Sequence, residues 1–465
     1  MRFVRTRLPA IVPAALLVAA LGPPLPAAAE APLPVPVPEV DGPLPGSPPG
    51  DPASDDIAET YPFFSTTEDL ERYGYVEEEY LLSGEASLFD GGRAVSEHPY
   101  RTRVVVRRPA DGAGSGTALM EWQNVTAGYD LDALWGPSAE HIMRSGHTWV
   151  GVSAQHVGVS HLTGWSPARY GDLDVTDGGE VGDDQLSYDV FSQAAQGLKA
   201  GLLTGGQGPD RVLAIGASQS AGRMTDYYER VLPAIEPVID GYGFMVGTAP
   251  ETERSEPVFQ VLSETDVLLA GGDGGDGGDR VNFRSWQVAG TAHSPWHGHR
   301  AREEVGDRDL GGVPQYDCAS PPYSRIPLYQ VMNAAYEHLD SWAAGGSPPP
   351  EADPIERTSS GRVARDEDGM ALGGIRTSQV DVPTAVSTGV NAPADGDPGG
   401  DDAFCVLFGS HEPFSEEALD SRYRTHAGYV ARVVRAERGL VRDGFVLPVD
   451  SFQNRWDAVR SGVGR

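Results

Sequence analysis

Ile215-Gly216-Ala217-Ser218-Gln219-Ser220-Ala221-Gly222 is the stretch of this 465-residue chain on which its fold turns. The apolar run Arg211-Val212-Leu213-Ala214-Ile215 comes before it and predicts a buried strand. The residues from Gln219 to about Leu232 predict a helix after it. A serine among small residues at a strand-to-helix turn is the layout of a nucleophile elbow. Such a turn is too tight for side chains beside the serine, so Gly216, Ser220 and Gly222 are expected to be small for steric reasons. The helix would start beneath the serine, its free N–H groups facing any negative charge that develops on a substrate. Ser220 departs from the pattern, which usually has glycine two residues after the nucleophile.

Further strand-like runs flank this one: Arg103 to Arg108, Ala118 to Trp122, Thr148 to Ser153, Gly243 to Gly247, Val258 to Leu262 and Arg284 to Ala289. Most are continuously apolar, as in strands covered on both faces. Between Gln185 and Leu203, Leu186, Val190, Phe191, Leu198 and Leu202 recur at helical spacing. This rhythm predicts an α/β chain with a doubly wound, mostly parallel sheet, and ligands in such sheets sit outside the carboxyl ends of the strands. Ser218 falls there.

A serine hydroxyl needs a base in reach and a third group to orient that base. In α/β-hydrolases these follow in the order serine, acid, histidine. Ser263-Glu264-Thr265-Asp266 follows the run ending at Leu262, and Gly290-Thr291-Ala292-His293 follows the run ending at Ala289. His293 is therefore the expected base. Asp266, three residues past Ser263, is the expected acid in the loop after the strand, with Glu264 as the alternative. The oxyanion would be held by the N–H of Gln219 and by backbone N–H groups of Asn124 and Val125, after the strand ending at Trp122. The chemistry expected is cleavage of a carboxylic ester through an acyl-enzyme, on a small-molecule or polymer ester. Acyl transfer or peptide cleavage would use the same triad, and a non-catalytic binding or cell-surface protein on a hydrolase scaffold is the alternative from another class.

The chain resembles a family of bacterial secreted proteins described as the "alpha/beta hydrolase domain" family, from about Gly74 to Val459. The resemblance rests on Tyr75-Val76-Glu77-Glu78-Glu79-Tyr80, Glu121-Trp122-Gln123-Asn124-Val125, Trp149 to Gln155, Ser187 to Gln193, Gly216 to Arg223, Ser263 to Asp266 and Ala289 to His293. It implies the α/β-hydrolase fold and a serine triad, with Ser220 normal in the elbow. It implies no particular substrate.

Residues 1–29 read as a cleaved signal peptide: Arg2, Arg5 and Arg7, an apolar stretch from Leu8 to Leu21, and Ala27-Ala28-Ala29. That stretch is short for a membrane span, so no stable anchor is expected and the protein is read as secreted or extracytoplasmic. Residues 30–57, rich in proline and acid, predict a disordered linker. Residues 58–319 would form the hydrolase core and 320–465 a mainly helical C-terminal extension packed on it. Leu328, Val331, Met332, Ala335, Leu339 and Trp342 in that extension form an apolar helical stripe.

The formal net charge is −32, and loss of the leader would remove three arginines and no acid. Such a surface repels nucleic acid and anionic membranes, so neither is an expected partner. The two cysteines, Cys318 and Cys405, would form a disulfide in an exported chain. Gly-Gly-Asp triplets from Gly271 to Asp279 read as a solvated, flexible insertion between acid and base. His293, His297 and His299 lie close together, but no carboxylate or cysteine completes a metal-binding spacing, so neither metal nor other cofactor is expected.

Overall fold

The computed structural model describes residues 31–269 and 280–465. The proposed leader and the Gly-Gly-Asp triplets lie outside the described residues. The strands are β1 (Glu39–Asp41), β2 (Tyr75–Asp90), β3 (Arg93–Pro109), β4 (Thr117–Trp122), β5 (Thr148–Val152), β6 (Arg211–Ala217), β7 (Gly241–Met245), β8 (Val258–Ser263), β9 (Phe283–Val288), β10 (Ala385–Thr388) and β11 (Ser410–Pro413). The helices are α1 (Trp135–Arg144), α2 (His156–Trp165), α3 (Pro167–Tyr170), α4 (Ser187–Lys199), α5 (Gln219–Arg230), α6 (Glu264–Leu269), α7 (Trp296–Leu310), α8 (Leu328–Ala343), α9 (Ser378–Asp381), α10 (Glu416–Arg422), α11 (His426–Asp443) and α12 (Pro448–Arg460).

Nine strands form one sheet in the order β1-β2-β3-β5-β4-β6-β7-β8-β9. The β1–β2, β2–β3 and β3–β5 pairings are antiparallel, and every pairing beyond β5 is parallel. The continuous apolar runs have the expected cause, since alternate residues serve two cores. In β6, Val212 and Ala214 face the core that holds α4 and α5, while Leu213, Ile215 and Ala217 face the core that holds α1 and α8. The fold is an α/β-hydrolase fold with helices on both faces of a largely parallel sheet.

Two expectations are corrected. Residues 30–57 do not form a disordered linker where they are described. Leu33 bridges to Ile235, Val35 is buried, and β1 pairs with β2 at the sheet edge. Proline-rich composition hides this because so short a strand needs few N–H donors, and Leu33 and Leu44 supply backbone bonds at 2.8 Å on either side of it. The second concerns the start of the expected C-terminal extension, whose first helix belongs to the core within the single unit Pro32–Arg465. Helix α8 is a core helix, packed on β6, β7 and β8. Its apolar stripe lies in the same core as α1, which the sheet needs on that face.

The rest of the C-terminal region is built on this core. Helix α11 starts under a Thr425 cap, whose hydroxyl accepts the Gly428 N–H at 3.1 Å. It packs against α12 through Tyr429, Val433 and Ala458. Cys318 and Cys405 are bonded, with Cα atoms 5.6 Å apart. Cys405 is buried with Tyr323 and Phe408. Across a separation of 87 residues, the chain-entropy account gives this bridge up to about 4–5 kcal/mol. The double variant Cys318→Ala/Cys405→Ala is expected to unfold at clearly lower urea than the oxidised protein. Equal midpoints would show that the bridge adds no stability.

Candidate active site

Ser218 sits between β6 and α5 with φ 57° and ψ −117°, a backbone conformation seldom occupied by a non-glycine residue. The elbow is held from several sides. The Ser218 N–H donates to the Met245 carbonyl at 3.0 Å. Gly216 and Gly247 leave room for the turn: a Cβ on either would come within 2.6 Å of Met224 Sδ or Ala221 Cβ, respectively. Gly222 differs from expectation. A Cβ there meets nothing within 4 Å, so its small size has no steric cause. Ser220 is buried, and its hydroxyl donates to the Ala217 carbonyl at 2.9 Å and accepts the Ala217 N–H at 3.0 Å. The serine that replaces glycine thus pins the end of β6.

His293 lies after β9. Its Nδ1 is 2.6 Å from Asp266 Oδ1. The other Asp266 oxygen accepts the Ser263 N–H at 2.8 Å and hydroxyl at 2.6 Å. A carboxylate only accepts, so the Nδ1 carries the proton and Nε2 is left as the basic nitrogen. The Thr265 hydroxyl accepts the His293 backbone N–H at 3.3 Å, which steadies the loop. Asp266 lies in the first turn of α6, not in an irregular loop as expected. Glu264 is fully buried and turned elsewhere. It accepts from Gly290 N–H at 2.9 Å and Gly389 N–H at 3.1 Å and pairs with Arg365 at 2.5 Å. It ties the turn before His293 to the end of β10.

The Asn124–Val125 segment differs from expectation. The Asn124 N–H is taken by the Leu131 carbonyl at 3.2 Å, because these residues form a bridge. Its side-chain amide donates to the Ala217 carbonyl at 2.8 Å, which supports the elbow. The Val125 N–H donates to Gln219 Oε1 at 3.3 Å. Gln219 Nε2 in turn donates to Gln155 Oε1 at 3.0 Å, which also accepts from Trp122 Nε1 at 3.2 Å. Sequence reasoning gave Gln155 no role, although it ends the Trp149–Gln155 landmark.

Ser218 and His293 line the same cavity of about 580 Å³. Much of its wall is aromatic, with Phe64, Tyr129, Tyr316, Tyr323, Tyr329 and Phe408. The C-terminal region supplies Phe404, Leu407 and Phe408, which flank or follow the bridged Cys405. His297 and His299 also line it, each against a ring: His297 is 5.0 Å from Tyr329 and His299 is 4.3 Å from Tyr323. Burial, aided by Arg325, pushes His297 down to about 4, so it is neutral at physiological pH. Among the described residues, the group that could hold a metal ion is not this trio but His141, His147 and Glu337.

A family model described as "Alpha/beta hydrolase domain" matches residues 40–454. No curated protein matches the chain. Solved structures similar to it include a serine hydrolase without a lid from Xanthomonas campestris, at 14% identity over 50% of this chain and 97% of that one, TM-score 0.27. An alpha-beta serine hydrolase homologue from Coxiella burnetii has 14% identity over 45% of this chain and 92% of that one, TM-score 0.28. The esterase Est22 has 13% identity over 53% and 80%, TM-score 0.30.

Because Glu264 satisfies two buried N–H groups and an arginine, Glu264→Gln is expected to cost about 1–3 kcal/mol of stability. Its kcat should stay within several-fold of wild type. Urea unfolding and ester-hydrolysis kinetics on that variant check both, and a crippled kcat in a stably folded variant would make Glu264 the acid.

Proposed function

We propose, from the premise that this chain belongs to the alpha/beta hydrolase domain family, that it is an exported serine hydrolase that cleaves a carboxylic ester through an acyl-enzyme. The observation that carries the reading is the Asp266–His293 contact at 2.6 Å beside a cavity that Ser218 also lines. Ser218 Oγ attacks the ester carbonyl as His293 Nε2 takes its proton. Asp266 holds the imidazole in the tautomer this requires and stabilises the imidazolium. The negative charge on the former carbonyl oxygen is met by the N–H of Gln219 at the start of α5 and by the N–H of Val125, once the latter releases its 3.3 Å bond to Gln219 Oε1. Asn124 acts as a positioning residue through its bond to Ala217. Collapse of the intermediate returns the proton to the leaving alcohol, and water then repeats the sequence on the acyl-enzyme.

Export is supported by the basic-apolar-alanine pattern of residues 1–29 and by the Cys318–Cys405 bridge. Among the described residues, no helix is long and apolar enough to cross a membrane.

A fluorophosphonate probe is expected to label the wild type, and Ser218→Ala should lose both labelling and turnover of short-chain esters while remaining folded. His293→Ala should be comparably damaged, since triad members act as a unit. Asp266→Asn should lower kcat by roughly 1,000–10,000-fold. Labelling retained by Ser218→Ala would overturn the assignment of the nucleophile.

A further inference from the structure

At the amino end of β5, away from the carboxyl ends that carry Ser218, three side chains converge. His141 lies in the last turn of α1, His147 just before β5, and Glu337 on α8. His141 Nε2 and His147 Nε2 each lie 3.4 Å from Glu337 Oε1, and the three ligand atoms lie within 4.8 Å of one another. The two imidazoles are 2% and 3% exposed, yet beyond these 3.4 Å contacts with Glu337 neither Nε2 makes a hydrogen bond. Buried polar atoms of this kind are rare without a reason. A tetrahedral ion with bonds of about 2.0–2.1 Å holds its donors about 3.4 Å apart. Of the remaining ring nitrogens, His147 Nδ1 is 2.7 Å from Ser115 Oγ, and His141 Nδ1 is 3.4 Å from Ser145 Oγ, whose hydroxyl donates to Glu337 Oε1 at 2.7 Å, so ligands and carboxylate alike have neighbours that orient them. The nearby Arg144 is paired with Glu140 at 3.2 Å. Glu337 is 38% exposed, which leaves a side open for water as a fourth ligand.

We propose that His141, His147 and Glu337 form a binding site for a zinc-class divalent ion that clips α1, the turn before β5 and α8 together. Isothermal titration of EDTA-stripped wild type with zinc chloride is expected to show one equivalent bound, with a raised melting temperature. His147→Ala and Glu337→Gln should lose this binding, Ser115→Ala should weaken it roughly 10-fold, and His297→Ala should keep it. Circular dichroism verifies that each variant is folded. No saturable binding by the wild type, or unchanged binding by folded Glu337→Gln and His147→Ala, would overturn the site.

A separate observation concerns the cavity. Arg302 lines it, half-buried on α7. Arg103, Arg107 and Arg169, more deeply buried, each grip a carboxylate. Arg302 instead donates to the Gly298 carbonyl at 2.9 Å and the Ser294 hydroxyl at 3.3 Å. Burial lowers its proton affinity, and the groups opposing that are the hydroxyls of Tyr129, Tyr316 and Tyr323, with no acid among them. Residues 298 and 306, four before and four after it, are both glycine, so no acid stands at either position. Exposed Arg325, stacked 4.9 Å from the centre of the Trp296 ring, adds positive field at His297. A guanidinium that lines a cavity with no carboxylate paired to it has the charge and the forked donors to hold one.

We infer that Arg302 receives a carboxylate carried by the substrate, so that the preferred ester has an apolar body and an anionic end. This rests on the serine-hydrolase reading. Ethanol release from the monoethyl esters of adipic and suberic acid, against ethyl hexanoate and ethyl octanoate, tests it. Wild type is expected to favour the monoesters in kcat/KM. In Arg302→Gln the anionic-to-neutral ratio should fall roughly 10–100-fold, the worth of a hydrogen bond to a charged group. A wild-type preference for neutral esters, or an unchanged ratio in a folded Arg302→Gln, would overturn this inference alone. No hydrolysis of either series, with no fluorophosphonate labelling, would overturn the reading beneath it.

Discussion

The backbone of Ser218 is the constraint on which the site depends. A non-glycine residue at φ 57° and ψ −117° costs about 1–3 kcal/mol unless its surroundings over-determine it. Here three strand ends do so. β7 contributes the carbonyl of Met245, β6 is tied through Ala217 to Ser220, and the segment after β4 adds the Asn124 amide. Val246, the residue after β7, is itself strained at φ 44° and lines the same cavity. Parallel strands about 4.8 Å apart bring their carboxyl ends into one row. An acid after β8 and a histidine after β9 therefore become neighbours although they are far apart in the chain. The strain is local, but the whole parallel half of the sheet supports it.

This explains what could be read in the sequence. The places of Ser218, Asp266 and His293 at strand ends were legible because each follows an apolar strand, and such strands advertise themselves when both faces are buried. The long β2–β3 hairpin was legible only in part. Glu77, Glu79, Arg103 and Arg107 sit within it as charges, and only cross-strand pairing makes them compatible with burial. The glycine rule for elbows gave Gly222 a reason that its open surroundings do not support. Asn124 and Val125 were assigned together as donors, but a bridge to Leu131 separates them, and no local pattern announces such a bridge. His141, His147 and Glu337 share no motif; the packing of α8 on the α1 face brings them together.

Arginine-centred pairing also shapes the cavity from a distance. Glu79 binds both Arg103 and Arg169 at 2.5 Å, and Arg169 reaches the Pro45 carbonyl at 2.7 Å. Arg107 is held between Glu77 and Asp132, lies over the rings of Trp135 and Trp149, and donates to the Phe64 carbonyl at 3.0 Å. Buried pairs like these are weak evidence of net stability, because desolvation offsets much of the attraction. Their effect here is geometric. They fasten the segment before β2 against the sheet, and that segment carries Phe64 into the cavity wall. The forked guanidinium suits this work because it can hold a carboxylate and a backbone carbonyl together.

The proline-rich start of the described chain has a consequence for the molecule in a crowded solution. An open sheet exposes, at each outer strand, a row of unpaired N–H and C=O groups on which another chain can grow. At one border the last strand added is β1, three residues long, entered past Pro34, Pro36 and Pro38 and left before Pro43. Prolines offer no N–H, and Glu39 and Asp41 set carboxylates along what remains. At the other border the carboxyl end of β9 is capped by the chain around Ile375, whose N–H donates to the Gln287 carbonyl at 2.7 Å and whose carbonyl accepts from Ala289 at 3.0 Å. Among the described residues, the proline-flanked β1 and the capped end of β9 thus shorten the template that either border offers to the strand of a second molecule.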